Sequence, residues 1–333
     1  MSDTFGTPQR RETETRARSR SPLRRAAAGL ALILAICCAT AAGIIAYLCL
    51  TSRTARDAVG VLVTRNYTPA KAFPNRDAVN ILLMGRDLDR DRYGNIVHTR
   101  GRTDAMMLAH IDFRDRSASI LSIPRDTLVH IPGYRHKRRV SYANALGGPE
   151  LATKTINEFV GVHPDYHVLL NFEGFEKAID AVGGLEVTVD KRLDYDDNWG
   201  GLHIHLQPGR QHLNGKQAMG FVRFRKSNDG VGDSDFVRMG RQQELLRSAR
   251  EKLSSPGIAF KVTKVLDIIC NDMQANLTPA QMMCLVGFVR SLPREQGLTM
   301  ESLPALDGGG AFVRADPEAT RKLVDHMFLD KQQ

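Results

Sequence analysis

Apolar and polar positions divide the chain into one long uncharged run followed by many short runs. The long run, "AAAGLALILAICCATAAGIIAYLCL" at 26–50, contains no charged side chain. At about 1.5 Å per residue it is long enough to cross a hydrocarbon core of about 30 Å. The pattern therefore predicts a transmembrane helix over 26–50. The competing interpretation is a cleaved signal peptide, whose apolar region of about 7 to 15 residues would be shorter.

The short runs after position 77 alternate between two periodicities. "AVNILLMG" at 78–85, "AMMLAHID" at 105–112 and "SASILSIP" at 117–124 predict buried strands, and the last two predict a hairpin. Helices are predicted over 150–161, 171–183, 213–222, from Asp233 or Ser234 to about 253, near 258–271, over 279–291 and from about 317. Strands are predicted over 185–189 and near 298–303, and 199–209 is interpreted as turns.

Strands and helices alternate without a repeat, which predicts one α/β domain with a mixed β-sheet flanked by helices. We assign 78–333 to this domain. Residues 51–77 are polar and contain prolines, as is typical of a stalk between a membrane and a domain.

The charges before the uncharged run predict its orientation in the membrane. Residues 1–25 hold seven arginines and three acids, so this arm supplies +4 of the formal net charge of +9. Its composition is typical of a disordered segment. Because cationic flanks remain cytoplasmic, we predict a single-pass type II protein of the plasma (inner) membrane. Its domain is then extracytoplasmic, where Cys270 and Cys284 either form a disulfide or remain two buried thiols.

The stretch "FVRFRKSNDGVGDSDFVRMGRQQ" at 221–243 is dense in arginine. If "VRFR" is extended, Arg223 and Arg225 point to the same face, while Val222 and Phe224 point to the core. A planar guanidinium pairs with phosphate oxygens through two hydrogen bonds. The stretch therefore fits an anion site, but its composition alone favours a solvated surface, and a nucleic-acid patch is the third interpretation.

The helix that follows this stretch carries further polar side chains at helical spacing. Arg238 lies three residues before Arg241 and four before Gln242, so these side chains share one side of the helix. The alternative is that the arginines pair with acids of the same stretch, which are Asp229, Asp233 and Asp235. Lys226, Asp229 and Asp233 are interpreted as loop and cap residues.

Polar residues at predicted strand ends point to the same kind of site. Arg125 in "SIPRDT" follows a strand, where the ligand crevice of an α/β sheet forms. Asp87 follows the first strand and Asp104 opens the second. Two carboxylates at neighbouring strand ends could hold Mg²⁺, with Mn²⁺ as an alternative. Each carboxylate alone is also consistent with an ordinary turn residue.

Six motifs occur together in one order. They are "NILLMGRD", "GRTDAMML", "SIPRDT", "NFEGFEKAIDAVGGLEVTV", "LNGKQAMGFVRFR" and "DFVRMGRQQ". In order and approximate spacing they resemble the LytR-CpsA-Psr family over residues 79–253, and more loosely beyond. The resemblance implies the fold of that family. It also implies a membrane-anchored phosphotransferase that joins a glycopolymer, carried on undecaprenyl (polyprenyl) pyrophosphate, to a peptidoglycan sugar hydroxyl through a phosphodiester.

The resemblance also implies roles for particular residues. Its catalytic set is Arg125, Asp104, Arg223, Arg225 and Arg238. The implied Mg²⁺ ligands are Asp87 and Asp104. Its substrate-binding candidates are Gln242, Arg102, Arg139 and Arg241, of which Arg139 is the nearest match to a lysine that many relatives carry.

Other functions remain open at this point. The chain could bind or hydrolyse a polyprenyl pyrophosphate without transferring a glycan, or act as an envelope-related transcriptional attenuator. The predicted topology disfavours a nucleic-acid partner. Residues 1–25 contain no motif for recognising a nucleic-acid sequence. Their charge alone would give only salt-sensitive, nonspecific binding.

Overall fold

The computed structural model describes residues 68–86, 100–197, 202–230, 232–233, 235–255, 273–293, 297–306 and 312–329. The predicted arm, membrane span, most of the predicted stalk and the helix near 258–271 lie outside these ranges. All described residues belong to one compact unit, Thr54–Gln333. Within the described ranges, none of the helices combines the length and apolar character needed to cross a bilayer.

Helices and strands alternate along the described chain. The helices are α1 (Pro69–Ala72), α2 (Tyr142–Val160), α3 (Phe172–Val182), α4 (Gly215–Arg223), α5 (Asp235–Ser254), α6 (Pro279–Ser291) and α7 (Pro317–Val324), with a π-helical turn at Asp325–Leu329. The strands of the central sheet are β1 (Ala78–Arg86), β2 (Thr103–Asp112), β3 (Ser117–Ser122), β6 (Tyr166–Asn171), β11 (Met273–Ala275) and β12 (Leu298–Ser302). Smaller pairs are formed by β4 (Leu128–Val129), β5 (Arg138–Arg139), β7 (Leu185–Val189), β8 (Leu193–Asp197), β9 (Leu202–Leu206), β10 (Gly209–Leu213), β13 (Ala305–Leu306) and β14 (Arg314–Ala315).

The central sheet is mixed, as predicted. Its order is β11-β6-β1-β2-β3-β12. Strand β1 is parallel to β6 and antiparallel to β2, and β3 is antiparallel to β2 and parallel to β12. Strands β6, β1, β3 and β12 therefore run in one direction, and their carboxyl ends meet at one edge together with the start of β2.

Helices cover both faces of this sheet. On one face Leu82, Leu108 and Leu121 are fully buried in a core that includes residues of α2 and α7. On the other face Ile81 packs in a core with Phe288 of α6. Burial on both faces explains why β1, β2 and β3 appear in the sequence as nearly continuous apolar runs.

A second core lies beside the sheet. It is built from α3, α4 and α5 together with the β7–β10 and β8–β9 pairs, and Leu185, Phe221 and Phe224 are almost fully buried in it. The predicted helix at 171–183 is confirmed as α3. It ends at Gly183, whose φ of 83° is left-handed and suits a residue without Cβ.

The predicted helix at 150–161 begins too late. Helix α2 starts at Tyr142, because a first helical segment precedes a kink at Gly148, which has φ 77° and ψ −172°. Pro149 then begins the second segment, at the position where a missing N–H costs little. Gly148 and Pro149 lie at a break between two helical segments. In the sequence, this break was interpreted as the start of a helix.

The interpretation of 199–209 as turns is wrong where the structure is described. Strand β9 occupies Leu202–Leu206 and pairs antiparallel with β8. Its sequence, "LHIHL", alternates exposed histidines with the buried Ile204 and Leu206. Half of this short strand faces solvent, so its apolar signal is only two or three residues long.

Candidate functional site

A cavity of about 630 Å³ opens between the carboxyl edge of the sheet and the second core. The sheet contributes Gly85 at the end of β1, Asp104 at the start of β2 and Asn171 at the end of β6. Arg125 enters from the segment that follows β3. The opposite wall comes from α3, α4, α5 and the β8–β9 hairpin. This position matches the crevice that the strand directions create.

One part of the cavity lining is strongly charged. Its charged side chains are Asp104, Arg125, Asp197, Arg223, Arg225, Lys226 and Arg238. Five cations and two acids therefore face the same space, together with Gln242. Six of the residues predicted from sequence are brought together here: Asp104, Arg125, Arg223, Arg225, Arg238 and Gln242.

Asp104 and Arg125 form the contact between the sheet and this charged region. Arg125 Nη1 donates to Asp104 Oδ1 at 2.6 Å, and its Nε lies 3.4 Å from Asp126 Oδ2. Burial alone would lower the pKa of Arg125, but the two carboxylates outweigh it and raise that pKa. Arg139 Nε lies 3.3 Å from Asp126 Oδ1, so Arg139 reaches the network through Asp126 and is not a lining residue.

Arg223 and Arg225 enter the cavity from the end of α4. Arg223 is the last residue of the helix, and the following Phe224 is fully buried in the second core. The Arg223 guanidinium lies over the Phe172 ring, 4.4 Å from its centroid. The predicted extended "VRFR" is therefore half helical. Val222 was predicted to face the core, and it packs against the second core while also lining the cavity.

Positive charge accumulates around Arg225. Its surroundings desolvate the guanidinium, and the charges of Arg125 and Arg238 add to this effect, so the pKa of Arg225 is lowered. The weaker attraction of Asp104 and Asp126 only partly offsets this. A bound anion would relieve the repulsion among these guanidiniums.

Helix α5 presents its polar residues to two different places. Arg238 and Gln242 line the cavity, with Leu245 one turn further along the helix. Arg241 is buried and forms an ion pair with Asp233, while its guanidinium lies 5.1 Å from the centroid of the Phe224 ring. Arg241 thus belongs to the second core and is not among the residues that line the cavity.

The remainder of the cavity lining is apolar. It consists of Ala105, Met107, Leu170, Phe172, Phe175, Leu202, Met219, Val222, Leu245 and Leu246, with Tyr195 beside them. The cavity is therefore amphipathic, with a cationic region that joins an apolar one. Such a space fits a ligand that carries both a strongly anionic group and a hydrocarbon portion.

The remaining predicted residues lie elsewhere. Arg102 is exposed, with its guanidinium 5.6 Å from the centroid of the Tyr142 ring. Asp87 and Cys270 lie outside the described residues. Cys284 is a buried free thiol on α6, and burial raises its pKa to about 11.

Sequence reasoning missed two charged residues of the lining. Lys226 was interpreted as a loop residue, although it faces the cavity beside Arg225. Asp197 and Tyr195 come from β8, a strand that was not predicted. The alternation in "LDYDD" was an available signal, because Leu193, Tyr195 and Asp197 share one face of a strand.

The chain is similar in sequence to proteins of one family. The LytR_cpsA_psr family model matches residues 51–312. The regulatory protein MsrR of Staphylococcus aureus (strain COL) is 32% identical over 203 residues, which are 61% of this chain and 58% of MsrR. The chain thus spans less than two thirds of that relative. The polyisoprenyl-teichoic acid–peptidoglycan teichoic acid transferase TagT of Bacillus subtilis (strain 168) is 29% identical over 259 residues, which are 77% of this chain and 78% of TagT.

A solved structure shares the fold. The structure of TagT bound to LI-WTA aligns with a TM-score of 0.61 and 27% sequence identity, and the alignment covers 78% of this chain and 93% of that chain. The central mixed sheet and its flanking helices are therefore those of a known fold.

Proposed function

The chain belongs to the LytR-CpsA-Psr family, and from that premise we propose that it is a glycopolymer phosphotransferase. Its donor is a glycopolymer on a polyprenyl pyrophosphate, and its acceptor is a sugar hydroxyl of peptidoglycan. The relative TagT carries the name of a teichoic acid transferase, which supports this class of reaction. The observation that carries the proposal is the cavity, in which a cluster of guanidiniums adjoins an apolar wall.

The cationic region suits a pyrophosphate. In the proposed reaction, the acceptor hydroxyl oxygen forms a bond to the glycan-linked phosphorus. The bond from that phosphorus to the bridging oxygen breaks, lipid phosphate leaves, and the hydroxyl proton passes to a base. Negative charge grows on the transferring and leaving oxygens, where Arg125, Arg223 and Arg225 supply positioned cationic donors.

The residues present fit a hard divalent cation. Asp104 offers carboxylate oxygens at the cavity edge, and Mg²⁺ prefers one or two carboxylates with substrate phosphates and waters. We propose Asp104 as its ligand, with Asp87 as the second carboxylate and Mn²⁺ as an alternative ion. When bound, the ion would neutralise phosphate charge. Arg125 holds the Asp104 carboxylate in place through its 2.6 Å hydrogen bond.

The proposed setting is the outer face of the plasma (inner) membrane. The uncharged run at 26–50 and the arginine-rich arm before it support a type II anchor. A donor with a polyprenyl tail would then reach the cavity from the same membrane that holds the anchor.

The test is incubation of the purified full chain with a lipid-linked glycan, Mg²⁺ and peptidoglycan fragments. A new phosphodiester between glycan and peptidoglycan supports the proposed transfer. Release of free glycan phosphate would instead indicate a pyrophosphate hydrolase. An intact donor that remains bound to the protein would indicate a binding protein, and the transferase proposal would fail in either case.

A further inference from the structure

The β8–β9 hairpin carries a cluster of metal-ligating side chains outside the charged cavity. The strand register places Asp194 opposite His205 and Asp196 opposite His203. Because side chains alternate along a strand, these four residues share one face of the hairpin. The other face carries Leu193, Ile204 and Leu206, which are buried in the second core.

The four side chains are close enough to act together. His205 Nδ1 lies 2.6 Å from Asp194 Oδ1, and His205 Nε2 lies 3.3 Å from Asp196 Oδ1. His203 Nδ1 lies 2.6 Å from the same Asp196 oxygen. One ligand atom each from Asp194, Asp196 and His205 can be chosen so that all three lie within 4.8 Å of one another.

A neighbouring hairpin shows what a simple solvated pair looks like in this molecule. On the β7–β10 pair, His212 Nδ1 lies 2.7 Å from Glu186 Oε1, and Arg210 lies 3.6 Å from the other oxygen of Glu186. One histidine there meets one carboxylate. On β8–β9, Arg192 Nη2 likewise lies 2.7 Å from Asp194 Oδ2, but His205 contacts Asp196 diagonally as well as Asp194 opposite, so two carboxylates converge on one histidine.

We propose that the β8–β9 hairpin binds a divalent transition metal of the Zn²⁺ class through Asp194, Asp196 and His205. Imidazole nitrogen favours Zn²⁺ and its neighbours over Mg²⁺ and Ca²⁺, which prefer sets of oxygen ligands. Three protein ligands leave a fourth position for water or for His203. In the three-ligand form, His203 is a positioning residue that orients the Asp196 carboxylate.

The hairpin is connected to the wall of the cavity, which gives this metal a structural role. The Asp196 N–H donates to Asn228 Oδ1 at 2.9 Å, and the Asn228 N–H donates to the Asp194 carbonyl at 3.0 Å. Asn228 follows closely after Arg225 and Lys226, which line the cavity. A metal that joins β8 to β9 would therefore hold the hairpin against the loop that carries these cations.

The test is calorimetric titration of ZnCl₂ into the full chain after treatment with a chelator. We expect one equivalent to bind at the hairpin, and His205→Ala to weaken that binding by at least about tenfold. His212→Ala is the matched control, because it removes an exposed histidine from the simple pair and should leave Zn²⁺ affinity unchanged. Excess Mg²⁺ should not displace Zn²⁺ from this site.

Two further variants keep the test decisive. Asp196→Asn keeps the side-chain shape and should also weaken binding, so a folding defect of His205→Ala cannot by itself decide the outcome. Asp104→Asn should retain the hairpin equivalent, which separates this site from the cavity. Absence of Zn²⁺ binding by the parent chain, or equal affinity in the parent, His205→Ala and Asp196→Asn proteins, would overturn the proposal. Loss of the equivalent on Asp104→Asn alone would also overturn it.

Discussion

Arg241 and Arg225 come from the same short stretch of sequence and are placed in opposite environments. The Arg241 side chain is 4% exposed, and so is that of its ion-pair partner Asp233. Arg225 instead lines the cavity, where desolvation and the charges of neighbouring guanidiniums lower its pKa. Charge inside the fold is thus balanced by an acid of the protein, whereas cations outnumber acids along the cavity lining. Under the proposed function, the pyrophosphate of the donor adds negative charge to this lining.

The largest expected effect is a loss of stability when the buried ion pair between Asp233 and Arg241 is broken. Asp233→Asn leaves the buried Arg241 guanidinium with only the half-exposed Asp190, whose Oδ1 lies 3.6 Å from Arg241 Nε, and breaking a buried pair costs about 3 to 5 kcal/mol. Urea unfolding of the full chain should report this loss in the free energy of unfolding. The double variant Asp233→Leu with Arg241→Met is the control, because removing both charges should recover much of the stability. A single variant as stable as the parent would show that the pair is not structural.

The pH dependence of this pair has a definite sign. Burial alone would raise the pKa of Asp233, but hydrogen bonds from Lys191 and Arg241 outweigh it and lower the pKa. The stabilisation is therefore fully present above the ordinary aspartate pKa of about 3.9 and is lost as the pH falls through the lowered folded value. Asp233→Asn should remove this part of the acid sensitivity, and an unchanged acid transition would contradict the assignment.

Arg225→Ala should affect activity and leave stability nearly intact. Removing a positioned donor to developing charge costs about 10² to 10³ in rate. Arg125→Ala and Arg223→Ala should have comparable effects on transfer. The measurement is the transfer rate per folded molecule, with the unfolding midpoint recorded alongside. A fall in stability equal to that of Asp233→Asn would place Arg225 in the structural class and remove the contrast with Arg241.

Asp104→Asn tests the proposed cation ligand. The amide keeps one oxygen that can accept from Arg125 but removes the negative charge, so the Mg²⁺ concentration for half-maximal transfer should rise by about tenfold or more. Asp126→Asn is the matched control, since Asp126 also contacts Arg125 but is not a lining residue. Equal shifts in both variants would mean that Asp104 acts through Arg125 instead of through a metal.

Lys191→Ala should have the smallest effect. Lys191 Nζ lies 2.5 Å from Asp233 Oδ1, but its side chain is 40% exposed and its charge is screened by water. Such pairs contribute about 0 to 1 kcal/mol. Urea unfolding compared with Asp233→Asn would show whether Asp233 depends mainly on the buried Arg241. A loss as large as that of Asp233→Asn would reverse this ranking.

Strands β1, β2 and β3 and the location of the candidate site could be predicted from the sequence, whereas β6 of the central sheet and β8 beside it were not predicted. Doubly buried strands gave long apolar runs, and their ends carry Asp104 and Arg125 at the edge where the cavity opens. The hairpin at Leu202–Leu206 could not be recognised as easily, because its exposed face carries two histidines and its buried face only a few apolar residues.

The sequence pattern also could not show that Arg241 and Gln242 have different roles. Arg241 and Gln242 both lie within one turn of Arg238, and neighbouring helix positions differ by about 100° in direction. Only the packing of α5 against Phe224 determines that Arg241 is directed into the second core while Gln242 lines the cavity. Helical spacing predicted a shared side, but it could not separate these two adjacent positions.

The central claim is that the chain transfers a glycopolymer with its phosphate to peptidoglycan. The most direct test follows the glycan-linked phosphorus atom from donor to product. A donor whose glycan-linked phosphorus is radiolabelled would be incubated with peptidoglycan and either the parent chain or Arg225→Ala. The account predicts label in a phosphodiester on peptidoglycan with the parent chain, unlabelled lipid phosphate as the other product, and a loss of about 10² to 10³ in rate with Arg225→Ala. Label in free glycan phosphate, or undiminished transfer by folded Arg225→Ala, would contradict it.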